Sequence, residues 1–308
     1  MTEIRSCRMK FIQNARSCSK MATFKDFRND VKPNWCPGCG DFSVQAAIQR
    51  AAANVGLEPQ NLALISGIGC SGRISGYINS YGFHSIHGRA LPIAQGVKMA
   101  NRDLTVIAAG GDGDGFAIGT GHTVHAIRRN INVTYIVMDN HIYGLTKGQT
   151  SPRSDAGFKT KSTPMGSVEQ PLSSMELALT VGATFVAQSF STDLKDLTNL
   201  IEAGIKHEGF SLINVFSPCV TYNKVNTYDW FKENLTKLSD IEGYDPSNRS
   251  MAMQTLMERD GLVTGLIYQN TERKSYQELI SGYSEKPLTQ ADLGLDQAYF
   301  DKLSEEFI

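Results

Sequence analysis

A strand, a glycine-rich turn, a helix and a second strand follow one another between residues 104 and 140. That run constrains the fold more than any other part of the chain. Residues 104–109 form an apolar run of strand length that ends in Gly110-Gly-Asp-Gly-Asp-Gly115. A helical pattern over 116–129 follows, then a second apolar run over 132–138 that stops just before Asn140. A helix between two short apolar strands is a crossover unit, and its strands lie parallel as neighbours. Asp112 and Asn140 therefore fall just past the carboxyl ends of adjacent strands, on the sheet edge where such folds bind ligands.

The same alternation extends in both directions. An Ala-rich helix is expected over 44–55, with Ser43 as its N-cap and Gly56 past its end. A short strand over 62–65 runs into Ser66-Gly-Ile-Gly-Cys70, and Pro92 suits the first turn of a helix reaching about 101. A polar loop covers 143–171, and Ser173-x-x-Glu176 resembles a capping box before the apolar 177–181. A strand over 183–187, a helix over 193–207 and a last strand over 210–216 complete the pattern. The expected fold is α/β: a parallel sheet with helices on both faces. Beyond 222 the chain turns polar and mostly helical, which suits packing or subunit contact. The expected organisation is an N-terminal extension (1–20), a cofactor-binding domain (21–235) and a helical C-terminal extension (236–308).

Composition narrows the class. With 308 residues the chain can build one large domain or two smaller ones around a real core. A net charge of -1 argues against nucleic acid or an anionic membrane surface as a partner. No apolar run approaches the roughly 18 residues of a spanning helix. Six cysteines are too few for a disulfide framework in a chain this long, and they read as ligands or free thiols in a reducing, cytoplasmic setting. Residues 1–20 carry Arg5, Arg8, Lys10, Arg16 and Lys20 against Glu3. Such a segment is either a transit-type peptide or translation from an upstream start, with Met21 as the true beginning; the second reading is preferred, and Cys7 and Cys18 receive no function.

The chemistry concentrates at the strand ends. A carboxylate (Asp112), an amide oxygen (Asn140) and a nearby backbone carbonyl form a hard oxygen set suited to Mg²⁺. Gly113 and Gly115 are expected to let the backbone approach phosphates, aided by a helix N-terminus near Phe116. Gly-Asp-Gly alone is a turn, but its strand–helix–strand setting points to thiamine diphosphate with Mg²⁺. Cys36 and Cys39, in Trp35-Cys-Pro-Gly-Cys-Gly40, are joined by Cys70 and Cys219 at other glycine- or proline-flanked loops. Four thiolates suit a tetrahedral zinc or a [4Fe–4S] cluster, and spacing alone does not separate the two. Cys70 belongs to the strand end expected to touch thiamine, where a redox-inert zinc has no chemical task. A dithiol switch leaves the other two cysteines idle. His122 and His125 mimic a metal pair on one helix face, but no third ligand accompanies them, so they read as structural.

Trp35-Cys-Pro-Gly-Cys-Gly40, Gly67-Ile-Gly-Cys-Ser-Gly-Arg73, His87-Gly-Arg-Ala90, Gly110-Gly-Asp-Gly-Asp114, Asp139-Asn-His-Ile-Tyr-Gly-Leu-Thr-Lys-Gly-Gln-Thr150 and Ser217-Pro-Cys219 occur in that order. Together they resemble the β subunit of a 2-oxoacid:ferredoxin oxidoreductase, most closely the 2-oxoglutarate type, over roughly residues 21–230. The resemblance implies Mg²⁺ on Asp112, Asn140 and the Ile142 carbonyl. It also implies a diphosphate on Gly113 and Asp114, closed over by Gly144 and Leu145. Ile68, Gly69, Cys70, Ser71 and His87 would line the rest of the cofactor. Cys36, Cys39, Cys70 and Cys219 would hold a [4Fe–4S] cluster that passes electrons to ferredoxin while coenzyme A takes the acyl group.

Arg73, a cation beside the expected cofactor, is a candidate reader of the second carboxylate of 2-oxoglutarate, and Lys147 a candidate contact for substrate or coenzyme A. Thiamine chemistry needs a carboxylic acid at the aminopyrimidine ring, and a second α/β domain to carry it is absent from the pattern. A partner α subunit is therefore expected to supply the catalytic Glu. Two other readings stand beside this one: the same chemistry on pyruvate or a broader 2-oxoacid set, and a non-catalytic binding subunit with a structural zinc.

Overall fold

The computed structural model describes residues 22–280, 286–290, 294 and 296–305. The extension at 1–20, with Cys7 and Cys18, lies outside the described residues. Strands β1 (Leu62–Ser66), β2 (Tyr81–His84), β3 (Thr105–Gly111), β4 (Val133–Asp139), β5 (Phe185–Phe190), β6 (Phe210–Phe216), β7 (Thr236–Lys237) and β8 (Val263–Gln269) form one sheet. Their spatial order is β2-β1-β3-β4-β6-β5-β8-β7. From β2 to β5 every pairing is parallel, and β8 closes against β5 antiparallel.

Helices α1 (Asp41–Asn54), α2 (Ala90–Ala100), α3 (Thr120–Arg129), α4 (Ser174–Val181) and α5 (Leu194–Lys206) cover both faces. The strands sort their side chains by parity, because successive residues point to opposite faces. Ala63, Ile65, Val106, Ala108, Tyr135 and Leu212 pack with α2, α3 and α4, through Leu91, Ala126 and Leu179. Leu62, Leu64, Ile107, Ile136, Ile213 and Val215 pack on the other side with Ile48 of α1 and Ile201 of α5. Both faces are buried, which is why these strands read as continuous apolar runs rather than alternating ones.

Several local expectations shift. Helix α1 begins at Asp41 after Gly40, so Ser43 lies inside the helix and caps nothing. Ser173 does precede α4, but its side chain makes no capping hydrogen bond. The C-terminal region is largely helical, including α6 (Tyr228–Asn234) and α7 (Arg249–Glu258), yet it also contributes β7 and β8 to the central sheet. The 235/236 boundary therefore divides strands that belong to one sheet. Among the described residues, no helix is long and apolar enough to cross a membrane.

Candidate active site

Four adjacent strands, β1, β3, β4 and β6, run parallel and end on one edge of the sheet. The loops that leave their carboxyl ends hold Gly67–Arg73, Asp112–Asp114, Asn140–Ile142 and Ser217–Cys219. Gly111 pairs with Met138 and Asp139 with Phe216, so Asp112 leaves the sheet level with Asp139, and Asn140 level with Ser217 one residue further out. The topology thus brings the expected site residues together from distant parts of the chain.

Two cavities open at this edge. One is lined by the β1 loop from Ile68 to Ser71, by His87, by Asp112–Asp114, and by Asn140, Ile142 and Tyr143–Thr146. The other is ringed by Cys36, Cys39, Cys70 and Cys219, with Trp35 and Arg73 beside them. Cys70, Asn140, Gly144 and Leu145 line both and form the wall between them. A Cβ on Gly144 would stand 3.5 Å from Cys219 Sγ and 3.8 Å from Cys70 Sγ, so the wall at this point is one backbone thick.

In the first cavity Asp112 is 1 % exposed, and one of its oxygens accepts a hydrogen bond from Ser151 Oγ. Burial first, and the neighbouring Asp139 charge second, push the Asp112 carboxyl up to about 7, against the pull of the Ser151 bond. Asn140 Oδ1 accepts from the backbone N–H of Ile142 at 3.1 Å, which curls the chain so that Asn140 and Ile142 face the same space. Asp139 lies behind them, fully buried. Burial would raise its carboxyl, but His141, Arg153 and a hydrogen bond from Asn214 outweigh it and hold it well below the usual range. Arg153 Nε donates to Asp139 Oδ2 at 3.0 Å. His141 Nε2 stands 3.5 Å from Asp139 Oδ1, and its ring packs edge-on against Phe216 and Phe231 as part of the core.

Asp114 has a different task from Asp112. Its Oδ1 accepts from the backbone N–H of Ile68 at 3.0 Å and of Gly88 at 2.8 Å, and meets His87 Nδ1 at 2.7 Å. Its side chain therefore ties the β1 loop to the segment before α2. A side chain on Gly113 would collide with the Tyr143 ring, and one on Gly115 with the Tyr135 hydroxyl, so the packing of these rings requires glycine at both positions. Tyr143 Oη donates to the Gly113 carbonyl at 3.1 Å. Helix α3 starts later than expected, after a π-helical turn over Asp114–Ile118.

The second cavity is built on a tight turn. Gly38 takes φ +82°, a left-handed conformation that suits glycine, and its carbonyl accepts from Tyr228 Oη at 2.9 Å. Trp35 Nε1 donates to the Cys70 carbonyl at 2.7 Å, pinning the Cys36–Cys39 turn to the Cys70 loop. No disulfide joins any of these four cysteines. Burial first, and the Asp41 charge second, push the Cys70 thiol up to about 12 and raise Cys39 further. Asp41 itself is pushed up to about 6 by burial. Among the described residues no three His, Cys, Asp or Glu side chains converge closely enough to hold a single metal ion, which includes His122 and His125.

Arg73 lines the cysteine cavity rather than the first one. Lys147 is exposed at φ +76° on the turn between Tyr143 and Gln149 and lines neither cavity. The residues that sequence reasoning missed are Ser151, Asp41 and the supporting rings of Trp35 and Tyr143. Trp35 and Tyr143 lie inside the sequence motifs, whereas Ser151 carries no local signal.

Residues 67–215 match the thiamine pyrophosphate enzyme C-terminal TPP-binding domain, so the chain carries a thiamine diphosphate-binding domain. Residues 219–285 match the C-terminal region of pyruvate ferredoxin oxidoreductase β subunits. The β subunit of 2-oxoacid:ferredoxin oxidoreductase 2 of Aeropyrum pernix is 40% identical over 276 residues, covering 85% of this chain and 89% of the relative. The 2-oxoglutarate oxidoreductase subunit KorB of Mycobacterium tuberculosis is 48% identical over 65% of this chain and 53% of that protein. A solved structure of 2-oxoglutarate:ferredoxin oxidoreductase from Magnetococcus marinus, with 2-oxoglutarate, coenzyme A and succinyl-CoA bound, superposes with a TM-score of 0.84. It shares 40% identity and covers 94% of this chain and 99% of its own. The motif order, the sheet-edge site and this similarity agree: the chain belongs to the β subunits of the 2-oxoacid:ferredoxin oxidoreductases, heteromeric enzymes in which an α subunit is its partner.

Proposed function

We propose that the chain is the β subunit of a 2-oxoglutarate:ferredoxin oxidoreductase. The complete enzyme would convert 2-oxoglutarate and coenzyme A to succinyl-CoA and CO₂, and pass the electrons through a [4Fe–4S] cluster to ferredoxin. The observation that carries this reading is the shared wall: Cys70, Asn140, Gly144 and Leu145 line both the glycine-rich cavity and the four-cysteine cavity. The KorB similarity and the 2-oxoglutarate, coenzyme A and succinyl-CoA named for the Magnetococcus marinus structure support the choice of substrate.

The residues present fit these groups. Asp112, Asn140 and the Ile142 carbonyl form a hard oxygen set at one corner of the first cavity and would hold Mg²⁺. Ile68, Gly69, Ser71, Gly113, Asp114, Gly144 and Leu145 would surround the cofactor. When bound, thiamine diphosphate supplies the nucleophilic carbon and the electron sink for decarboxylation. His87, its Nδ1 engaged by Asp114, keeps Nε2 for the cavity and orients its ring edge-on to Tyr143 at 6.0 Å. Cys36, Cys39, Cys70 and Cys219 ring the second cavity and would hold a [4Fe–4S] cluster, whereas a redox-inert zinc there would have no electron to carry. Arg73 is assigned to the second carboxylate of 2-oxoglutarate and Lys147 to substrate or coenzyme A.

The test is co-purification with the α subunit, followed by a panel of 2-oxoacids with viologen as acceptor. Coenzyme A-dependent reduction with 2-oxoglutarate well above pyruvate is expected; equal or greater activity with pyruvate would overturn the substrate assignment. The second reading, a broader 2-oxoacid enzyme, draws on relatives named simply for 2-oxoacids. The isolated chain loaded with its cofactors is expected to be inactive, because the acid at the aminopyrimidine ring would come from the α subunit.

A further inference from the structure

Asp41 directly follows the Cys36–Cys39 turn and opens α1, yet it is 1 % exposed. An acid in the first turn of a helix complements the dipole from the surface equally well, so the dipole does not require this burial. The carboxylate is engaged elsewhere. Its Oδ1 accepts from Ser217 Oγ at 2.7 Å, and Ser217 begins the loop that carries Cys219. One side chain therefore joins two segments, each of which delivers cysteines to the same cavity. Among the described residues no Lys, Arg or His forms an ion pair with it. Behind it, Gly40 leaves no room: a Cβ there would lie 2.5 Å from Ser217 Oγ and 2.7 Å from Ser191 Oγ.

We propose that Asp41 is a positioning residue for the four-cysteine site: its carboxylate clamps the Cys36–Cys39 turn to the Cys219 loop and sets a negative charge behind the sulfurs that keeps the cluster's reduction potential low. The proposal rests on the cluster reading above. A buried anion opposes the addition of an electron to a neighbouring cluster, and net charge together with hydrogen bonds to sulfur are the protein's main means of setting such potentials. Asp41 exchanges no atom, proton or electron in this role. The electron comes from 2-oxoacid oxidation and leaves with ferredoxin.

The experiment compares the αβ complex as wild type, Asp41→Asn and Asp41→Ala, all at one mildly alkaline pH. Iron and acid-labile sulfide per complex are measured, then the midpoint potential by EPR-monitored reductive titration, with thiamine diphosphate affinity as the control for folding. Asp41→Ala is expected to lose iron several-fold while thiamine diphosphate affinity holds. Asp41→Asn still accepts from Ser217, so it is expected to keep its iron and to show a higher midpoint potential. Undiminished iron in Asp41→Ala, or an unmoved potential in Asp41→Asn, would overturn the proposal. If Asp41→Ala does not fold, the Asp41→Asn potential decides alone. A wild-type complex without iron would overturn the cluster reading itself, whereas an iron-loaded wild type with unmoved variants overturns the role of Asp41 and leaves that reading standing.

Discussion

His87 and Asp114 meet at 2.7 Å, and the carboxylate oxygen that contacts the imidazole also accepts the backbone N–H groups of Ile68 and Gly88. One buried oxygen thus joins three walls of the candidate cofactor cavity. Asp114→Ala leaves two backbone donors without their partner, at a cost of about 1–3 kcal/mol each. The expected result is a lowered Tm together with at least a tenfold loss of thiamine diphosphate affinity by calorimetry. Unchanged affinity in a folded variant would contradict this organising role.

Arg153 and Asp139 form an ion pair in which the carboxylate is fully buried. Arg153 also donates from Nη1 to the Leu172 carbonyl at 2.6 Å, so it fastens the long loop after β4 to the strand end behind Asn140. Arg153→Met strands a buried charge and is expected to cost about 3–5 kcal/mol in urea unfolding. Arg153→Lys keeps the charge and loses the fork, so it is expected to fall between the two. A loss of under about 1 kcal/mol for Arg153→Met would show that Asp139 is not held by this pair.

His207 is buried, and its Nε2 donates to Thr184 Oγ1 at 2.8 Å, because Thr184 uses its own proton on Asn130 Oδ1. Burial lowers its pKa to about 4 from an ordinary 6.5. The unfolded chain therefore binds this proton at higher pH than the folded one. The His207 contribution is intact above 6.5 and is lost as the pH falls toward 4. His207→Gln is expected to flatten the unfolding free energy across that window in denaturant titrations. A wild-type slope that survives the substitution would assign it to other groups.

Arg73 lines the cysteine cavity close to the wall shared with the cofactor cavity. Arg73→Met is expected to raise KM for 2-oxoglutarate more than for pyruvate in the αβ complex. Steady-state kinetics on both substrates check this, and an unchanged KM ratio would remove Arg73 from substrate recognition.

Much of this architecture is legible in the residues because both faces of the sheet are buried. Such strands are short apolar runs, and β1, β3, β4, β5 and β6 all appear where those runs lie, with β6 matching at both ends. Strand β2 escapes because Tyr81–His84 is an exposed edge with no apolar run to mark it. Strand β8 escapes because Val263–Gln269 interrupts a polar, mostly helical region, pairing with the two-residue β7 and with β5, which lies far back in the chain. The site divides in the same way. Asp112, Asn140 and the four cysteines are visible through strand ends and turn residues. The buried contacts of Asp41 with Ser217 and of Ser151 with Asp112 arise only when segments separated by 176 and 39 residues meet. No local pattern announces them.

In the proposed enzyme the cysteines are the outlet for electrons from the glycine-rich cavity. The direct measurement is 2-oxoglutarate-dependent reduction of ferredoxin by the αβ complex with Cys36→Ser, alongside thiamine diphosphate binding. Cys36→Ser is expected to abolish ferredoxin reduction and to leave Mg²⁺-dependent thiamine diphosphate binding largely intact. Ferredoxin reduction at the wild-type rate in Cys36→Ser would contradict the cysteines' role as that outlet.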